Sequence, residues 1–176
     1  LNFWKLDMAY HYDTLQTALD NGVMTVTIDN PPINVMTIGL YTDLAGFTAE
    51  VEQDDAVTVV VFQSKDPDFF IAHFDVEAIL QFPVDEPAVK TQKLSEFHLM
   101  CERVRLMPKA TIVKMAGRAG GGGNEFAASC DMRFGLKGKT IINQMEVALG
   151  ILPGGTGTQR LPRLVGRGRA LEICLG

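Results

Sequence analysis

Long apolar runs are missing from this chain. None approaches the roughly 20 residues that a membrane-spanning helix needs, so no membrane span is expected. The first residues, LNFWKLDMAYHYD, lack a basic stretch followed by an apolar core, so no secretory signal is read there. Cysteine is scarce: Cys101, Cys130 and Cys174 are widely spaced, with no C-x-x-C pair. That pattern points to reduced, mostly buried thiols in an intracellular protein and suggests no zinc site. A cytoplasmic location is expected, or a mitochondrial or peroxisomal one in a eukaryote. Positive charge is short as well, with 16 Lys+Arg against 21 Asp+Glu and a net charge of −5. A nucleic-acid surface would show a basic balance, so no nucleic-acid partner is expected. His11, His73 and His98 have no ligand spacing, and no metal is expected. Ser129 lies in no nucleophile elbow, which argues against serine hydrolysis.

What is present is an ordinary globular composition, 47% hydrophobic and 21% charged over 176 residues. That is enough for one well-packed domain and short for two. No internal repeat, low-complexity tract or linker stands out. Residues 1–21 carry little pattern and read as an N-terminal extension; residues 22–176 read as the core domain. Gly22 to Asp29 alternates apolar residues with threonine, as a strand does. Pro31-Pro32 ends it. Thr37 is a candidate N-cap for a helix to about Glu52, with Leu40, Leu44, Phe47 and Val51 on one face. Val57 to Gln63 reads as a strand buried on both faces, and the strand, helix, strand order implies an α/β architecture.

A helix is expected from Ala72 to Leu80, and another from about Glu86 to Met107, closed by Pro108. Thr111 to Met115 reads as a strand, followed by short strands at Met132–Phe134 and Thr140–Ile142. A short helix is expected over Thr158–Leu164. A last one, Arg167 to Cys174, still reads as unfinished at Gly176, with Leu171, Ile173, Cys174 and Leu175 needing something to pack against.

Between the strand at Thr111 and the next helix lie four consecutive glycines, Gly120 to Gly123, followed by Asn124-Glu125-Phe126-Ala127-Ala128. This order reads as strand, glycine turn, helix N-terminus. Such a turn presents backbone N–H groups to a ligand with no Cβ in the way, and the helix start adds orphan donors and partial positive charge. A phosphate or an oxyanion would suit it. No G-x-x-x-x-G-K-[ST] and no G-x-G-x-x-G after a strand is present, which leaves the oxyanion. Glu125 and Glu146 bracket the segment. The competing reading makes both of them solvated surface glutamates. Paired carboxylates also suit a glycosidase in principle, but nothing else in the chain supports sugar chemistry.

Three ordered motifs carry a family resemblance: Phe69 to Asp75 (FFIAHFD), Ala116 to Ala127 with Cys130-Asp131-Met132-Arg133 after it, and Gly150 to Leu161 (GILPGGTGTQRL). Together they resemble the crotonase, or enoyl-CoA hydratase/isomerase, superfamily, from about Gly22 to the last residue. The resemblance implies the ClpP/crotonase superhelix of repeated strand–strand–helix turns. It implies a backbone oxyanion hole from the N–H groups of Ala72 and Gly122. Glu125 would activate a water to attack C3, and Glu146 would deliver a proton to C2. Glu146, between Met145 and Val147, has an apolar setting suited to a raised pKa.

The implied substrate-binding set is Asn34, Phe74, Asp75, Val76, Gly121, Pro153 and Gly154. His73 and Phe74 stand where the family often has glycine and alanine, which would reshape the pocket mouth. The two glutamates are 21 residues apart, one more than is usual for hydratases, and loop-like Gly135 to Lys139 could absorb the extra residue. The activity implied is hydration of 2-trans-enoyl-CoA, with no cofactor because the coenzyme A thioester is itself the substrate. Δ3,Δ2-enoyl-CoA isomerisation, another specialised crotonase reaction, or non-catalytic acyl-CoA binding are the alternatives. The resemblance further implies C-terminal helices beyond those read here, covering the acyl pocket and building a homotrimer or a dimer of trimers.

Overall fold

A computed structural model describes residues 10–82, 84, 85, 87, 90 and 93–176. Two sheets organise it. The larger has the order β1-β2-β3-β5-β7, and the smaller the order β4-β6-β8. In the larger sheet β1 (Leu15–Asp20) runs antiparallel to β2 (Val23–Ile28). β3 (Val59–Ser64), β5 (Ala110–Met115) and β7 (Met132–Gly135) then add in parallel. The short strands β4 (Phe69–Ile71), β6 (Arg118–Gly120) and β8 (Ile141–Asn143) pair in parallel in the second sheet. β3, β5 and β7 are thus each followed by a short strand and then by a helical element. One bridge, Met36 to Phe74, brings the segment after β2 alongside the same layer. This is the superhelical strand–strand–helix repeat that the sequence motifs imply.

The helices follow their local signals. α1 (Ile38–Glu52) starts where the Thr37 side chain accepts the Leu40 N–H at 3.2 Å, and Leu40, Leu44, Phe47 and Val51 face inward. Its Phe47 ring meets Phe62 of β3 edge-on at 6.0 Å. Phe62 in turn meets Phe126 of α4 (Gly122–Ser129) at 5.0 Å. That aromatic chain ties α4 to the sheet by burial of large apolar surfaces. The final helix, α5 (Gly157–Leu175), is broken at Gly166 (φ 78°, ψ 159°), which gives the two helical pieces expected from the sequence.

Four expectations are corrected. The sheet begins at Leu15, inside the stretch read as an N-terminal extension. The helix expected from Ala72 is α2 (Val76–Leu80), delayed because Asp75 caps it and Phe74 before it still bridges Met36. The helix expected from Glu86 is α3 (Glu96–Leu106), started by Ser95 accepting the His98 N–H. Residues 87, 90 and 93–95 are not helical, and the rest of that expected helix before Leu94 lies outside the described residues. Gly120 belongs to β6 rather than to a turn, so the chain runs strand, strand, helix through the glycines.

Candidate active site

The site is built where β4 and β6 deliver their chains side by side. Gly120 and Gly123 allow this approach: a Cβ on either would lie 2.4 Å from a backbone carbonyl, that of Ala72 and of Ile71 respectively. Any larger residue would push the two loops apart. Ala72, directly after β4, is buried, and Gly122 is the first residue of α4. At that position the Gly122 N–H is one of the donors a helix cannot satisfy internally. Gly121, the N-cap, has φ +46°, and a Cβ there would lie 3.0 Å from Glu146 Oε1. Its backbone conformation favours glycine, and the nearby carboxylate leaves little room for a side chain.

Glu125 sits one turn along α4 and is 3% exposed. Its Oε1 accepts the N–H groups of Thr156 at 2.9 Å and Gly157 at 2.8 Å, at the start of α5. Burial raises its pKa, and the backbone donors of Gly157, Thr156 and Gly155 oppose that rise. Glu146 lies in the first turn of a 3-10 helix, Met145–Leu149, and is 9% exposed. Burial raises its pKa too, and the charge of Glu125 adds to the rise. Neither glutamate is the solvated surface residue of the competing reading. The pair cannot both ionise as readily as isolated carboxylates do.

The sequence reading missed the residues that hold these carboxylates. Gln144, 1% exposed, donates from Nε2 to Glu146 Oε1 and Oε2 at 3.1 and 3.3 Å, and its Oε1 accepts from Asn124 Nδ2 at 2.6 Å. The Asn124 amide thus fixes the orientation of the Gln144 amide. Gly155 was missed as well: a Cβ there would stand 2.1 Å from Glu125 Oε2 and 2.8 Å from Phe97 Cε1. His98 Nε2 lies 2.8 Å from the Gly154 carbonyl, which can only accept, so that nitrogen carries the proton. The signal available in sequence was proximity alone: Gln144 is two residues from Glu146, and Gly155 and Gly157 flank Thr156.

The remaining sequence candidates divide. Phe74 packs on Gly122, its Cβ 3.3 Å from where a Cβ would stand, so it belongs to the site. Pro153 is buried and Gly154 exposed in the segment leading to Thr156. Asn34 is 2% exposed and engaged with the scaffold, donating to Ser64 Oγ and the Phe70 carbonyl and accepting the Asn30 N–H. Asp75 accepts the N–H groups of Glu77 and Ala78 as the cap of α2, and Val76 is that helix's first residue. Among the described residues, no three His, Cys, Asp or Glu side chains gather into a metal-holding group, and no helix is long and apolar enough to cross a membrane.

Chemically, the arrangement sets the N–H groups at the start of α4 beside two buried carboxylates, one anchored by N–H groups and one by an amide. The sequence pattern of enoyl-CoA hydratase/isomerase proteins matches residues 18–176. A Bacillus subtilis protein named a probable enoyl-CoA hydratase is 31% identical over 161 residues, covering 92% of this chain and 61% of its own length. The fatty acid oxidation complex subunit alpha of Shewanella halifaxensis is 33% identical over 163 residues, covering 90% of this chain and 23% of its own. A solved enoyl-CoA hydratase structure from Geobacillus kaustophilus superposes with a TM-score of 0.79 at 30% identity, covering 91% of this chain and 60% of that one. The chain thus spans about six-tenths, or less, of each of these relatives.

Proposed function

This chain belongs to the enoyl-CoA hydratase/isomerase family, and from that premise we propose that it adds water across the double bond of 2-trans-enoyl-CoA thioesters. The observation that carries the reading is the burial of Glu125 and Glu146 around the N-terminus of α4, with both pKa values raised. In this reading the thioester oxygen accepts from the N–H groups of Ala72 and Gly122, which stabilises the enolate that forms. Glu125, whose Oε1 already accepts two N–H groups, is the carboxylate better able to stay ionised. Glu146, whose pKa burial and the charge of Glu125 raise against the opposing Gln144 hydrogen bonds, is assigned the proton-donor role.

Glu125 then takes a proton from water as the water oxygen bonds to C3. The π electrons move onto the thioester carbonyl, and Glu146 delivers its proton to C2 as the enolate collapses. Glu125 is left protonated and Glu146 ionised, and proton exchange with solvent resets the pair. The scheme uses no cofactor; the coenzyme A thioester is the substrate. Assembly as a homotrimer or a dimer of trimers is part of the same proposal. It is supported by the exposed apolar side chains of Met132 and Phe134 on β7 and of Ile141 and Ile142 on β8, strands at the outer edges of their sheets. Loss of the conjugated-enoyl absorbance of crotonoyl-CoA on adding the full chain tests the reaction. Production of that absorbance from a 3-enoyl-CoA, without its loss from crotonoyl-CoA, would make the chain an isomerase instead.

A further inference from the structure

Three aromatic rings follow one another away from the Gly122 end of the candidate site. Phe74 packs against Gly122, and its ring meets Phe97 edge-on at 6.2 Å. Phe97 in turn rests against Tyr41, also at 6.2 Å, and all three back onto the buried core. The edge of Phe97 reaches the same point beside Gly155 that Glu125 Oε2 reaches, 2.8 and 2.1 Å away respectively. Gly122 and Glu125 are three residues apart on α4 and so share a face. The rings therefore run from the proposed oxyanion donor to the proposed base. On the far side of Gly155, Leu94 ahead of α3 and His98 on it share a cavity of about 460 Å³ with Glu102, Arg105, Arg160 and Arg163.

We propose that Phe74 and Phe97 form a wall that makes this site selective for short, crotonoyl-sized acyl groups. The inference rests on the proposed hydration. A thioester oxygen at Gly122 and a C3 beside Glu125 send the chain from C4 onward into the ring edges. A core-backed ring cannot give way without opening a void or straining its neighbours. Accommodating a longer tail therefore costs more than its added apolar burial returns.

The test compares crotonoyl-CoA with 2-trans-decenoyl-CoA on the full chain, on Phe97→Ala and on Phe74→Ala, each checked for native fold by circular dichroism. The parent should favour crotonoyl-CoA in kcat/KM by at least about tenfold, the scale of discrimination a single misfitted methylene produces. Phe97→Ala should shrink that ratio about tenfold or more, and Phe74→Ala should shrink it too. Equal efficiency on both substrates in the parent, or an unchanged ratio in a folded Phe97→Ala, overturns the wall. Calorimetric binding of butyryl-CoA and decanoyl-CoA reads the wall independently of turnover. The parent should bind decanoyl-CoA no tighter than butyryl-CoA, and Phe97→Ala should reverse that order. Tighter decanoyl-CoA binding by the parent overturns the wall, whereas absent turnover with the predicted binding order overturns only the hydration reading.

Discussion

Replacing Gly155 with alanine adds one methyl group at the most crowded point of the site. The new Cβ would lie 2.1 Å from Glu125 Oε2 and 2.8 Å from Phe97 Cε1. Ordinary contact with the carboxylate requires a shift of about 1 Å, a misplacement that can cost a catalytic group about 10²-fold in rate. Glu125 cannot yield freely, because its Oε1 is held by the N–H groups of Thr156 and Gly157. Phe97 cannot either, being packed between Phe74 and Tyr41. Overpacking of this kind costs about 1–3 kcal/mol of stability, which lowers the melting temperature of a domain this size by roughly 2–12 °C. The assay is crotonoyl-CoA turnover together with a thermal melt. Gly168→Ala is the control, since a Cβ there meets nothing within 4 Å; it should keep parental turnover and gain about 0.4–1 kcal/mol. A Gly155→Ala protein that melts and turns over like the parent would refute the close-approach argument.

Glu125→Gln and Glu146→Gln should each lower turnover by at least about 10²-fold, the scale of losing a general acid or base, while leaving thioester binding largely intact; near-normal turnover in either removes the two-carboxylate mechanism. Because Glu146 has a raised pKa in the fold, its penalty is absent at pH values below the ordinary carboxylate range. The penalty grows as pH rises toward the folded value and is full above it. Glu146→Gln should therefore gain stability over the parent as pH increases, and denaturant melts showing the gain only at acid pH would contradict the assignment. Gly122→Pro removes the N–H at the first position of α4, a helix position that suits proline although its Cβ would press on Phe74 at 3.3 Å, so native fold is checked by circular dichroism; a loss of roughly 2.7–4 kcal/mol in kcat/KM is expected, and a folded variant at parental rate would show that this N–H binds no oxyanion.

Much of this architecture was legible because its signals are local. Thr37 caps α1, and the spacing of Leu40, Leu44, Phe47 and Val51 marks its buried face. The glycine run and the two glutamates also pointed to the site. What was not legible depends on partners far along the chain. β1, LQTALD, has a polar, mostly exposed pattern and is a strand because β2 pairs with it. β6 is only three residues long, held by β4 and β8, so its Gly120 looked like turn. Glu125 takes its donors from residues 31 and 32 positions later. Gln144 is pinned through Asn124, 20 residues before it, and through its own N–H to the Ile173 carbonyl. Polar networks of that span leave no periodicity in a sequence, even when every member is buried.

The central claim is that Glu125 and Glu146 together add water to an enoyl thioester. It is tested most directly by turning over crotonoyl-CoA in water labelled with both deuterium and heavy oxygen. The account predicts a 3-hydroxybutyryl product with heavy oxygen at C3 and one deuterium at C2, formed by the parent and all but lost in Glu146→Gln. Deuterium exchange at C2 or C4 with no oxygen incorporated, or labelling that persists unchanged in the variant, would contradict it.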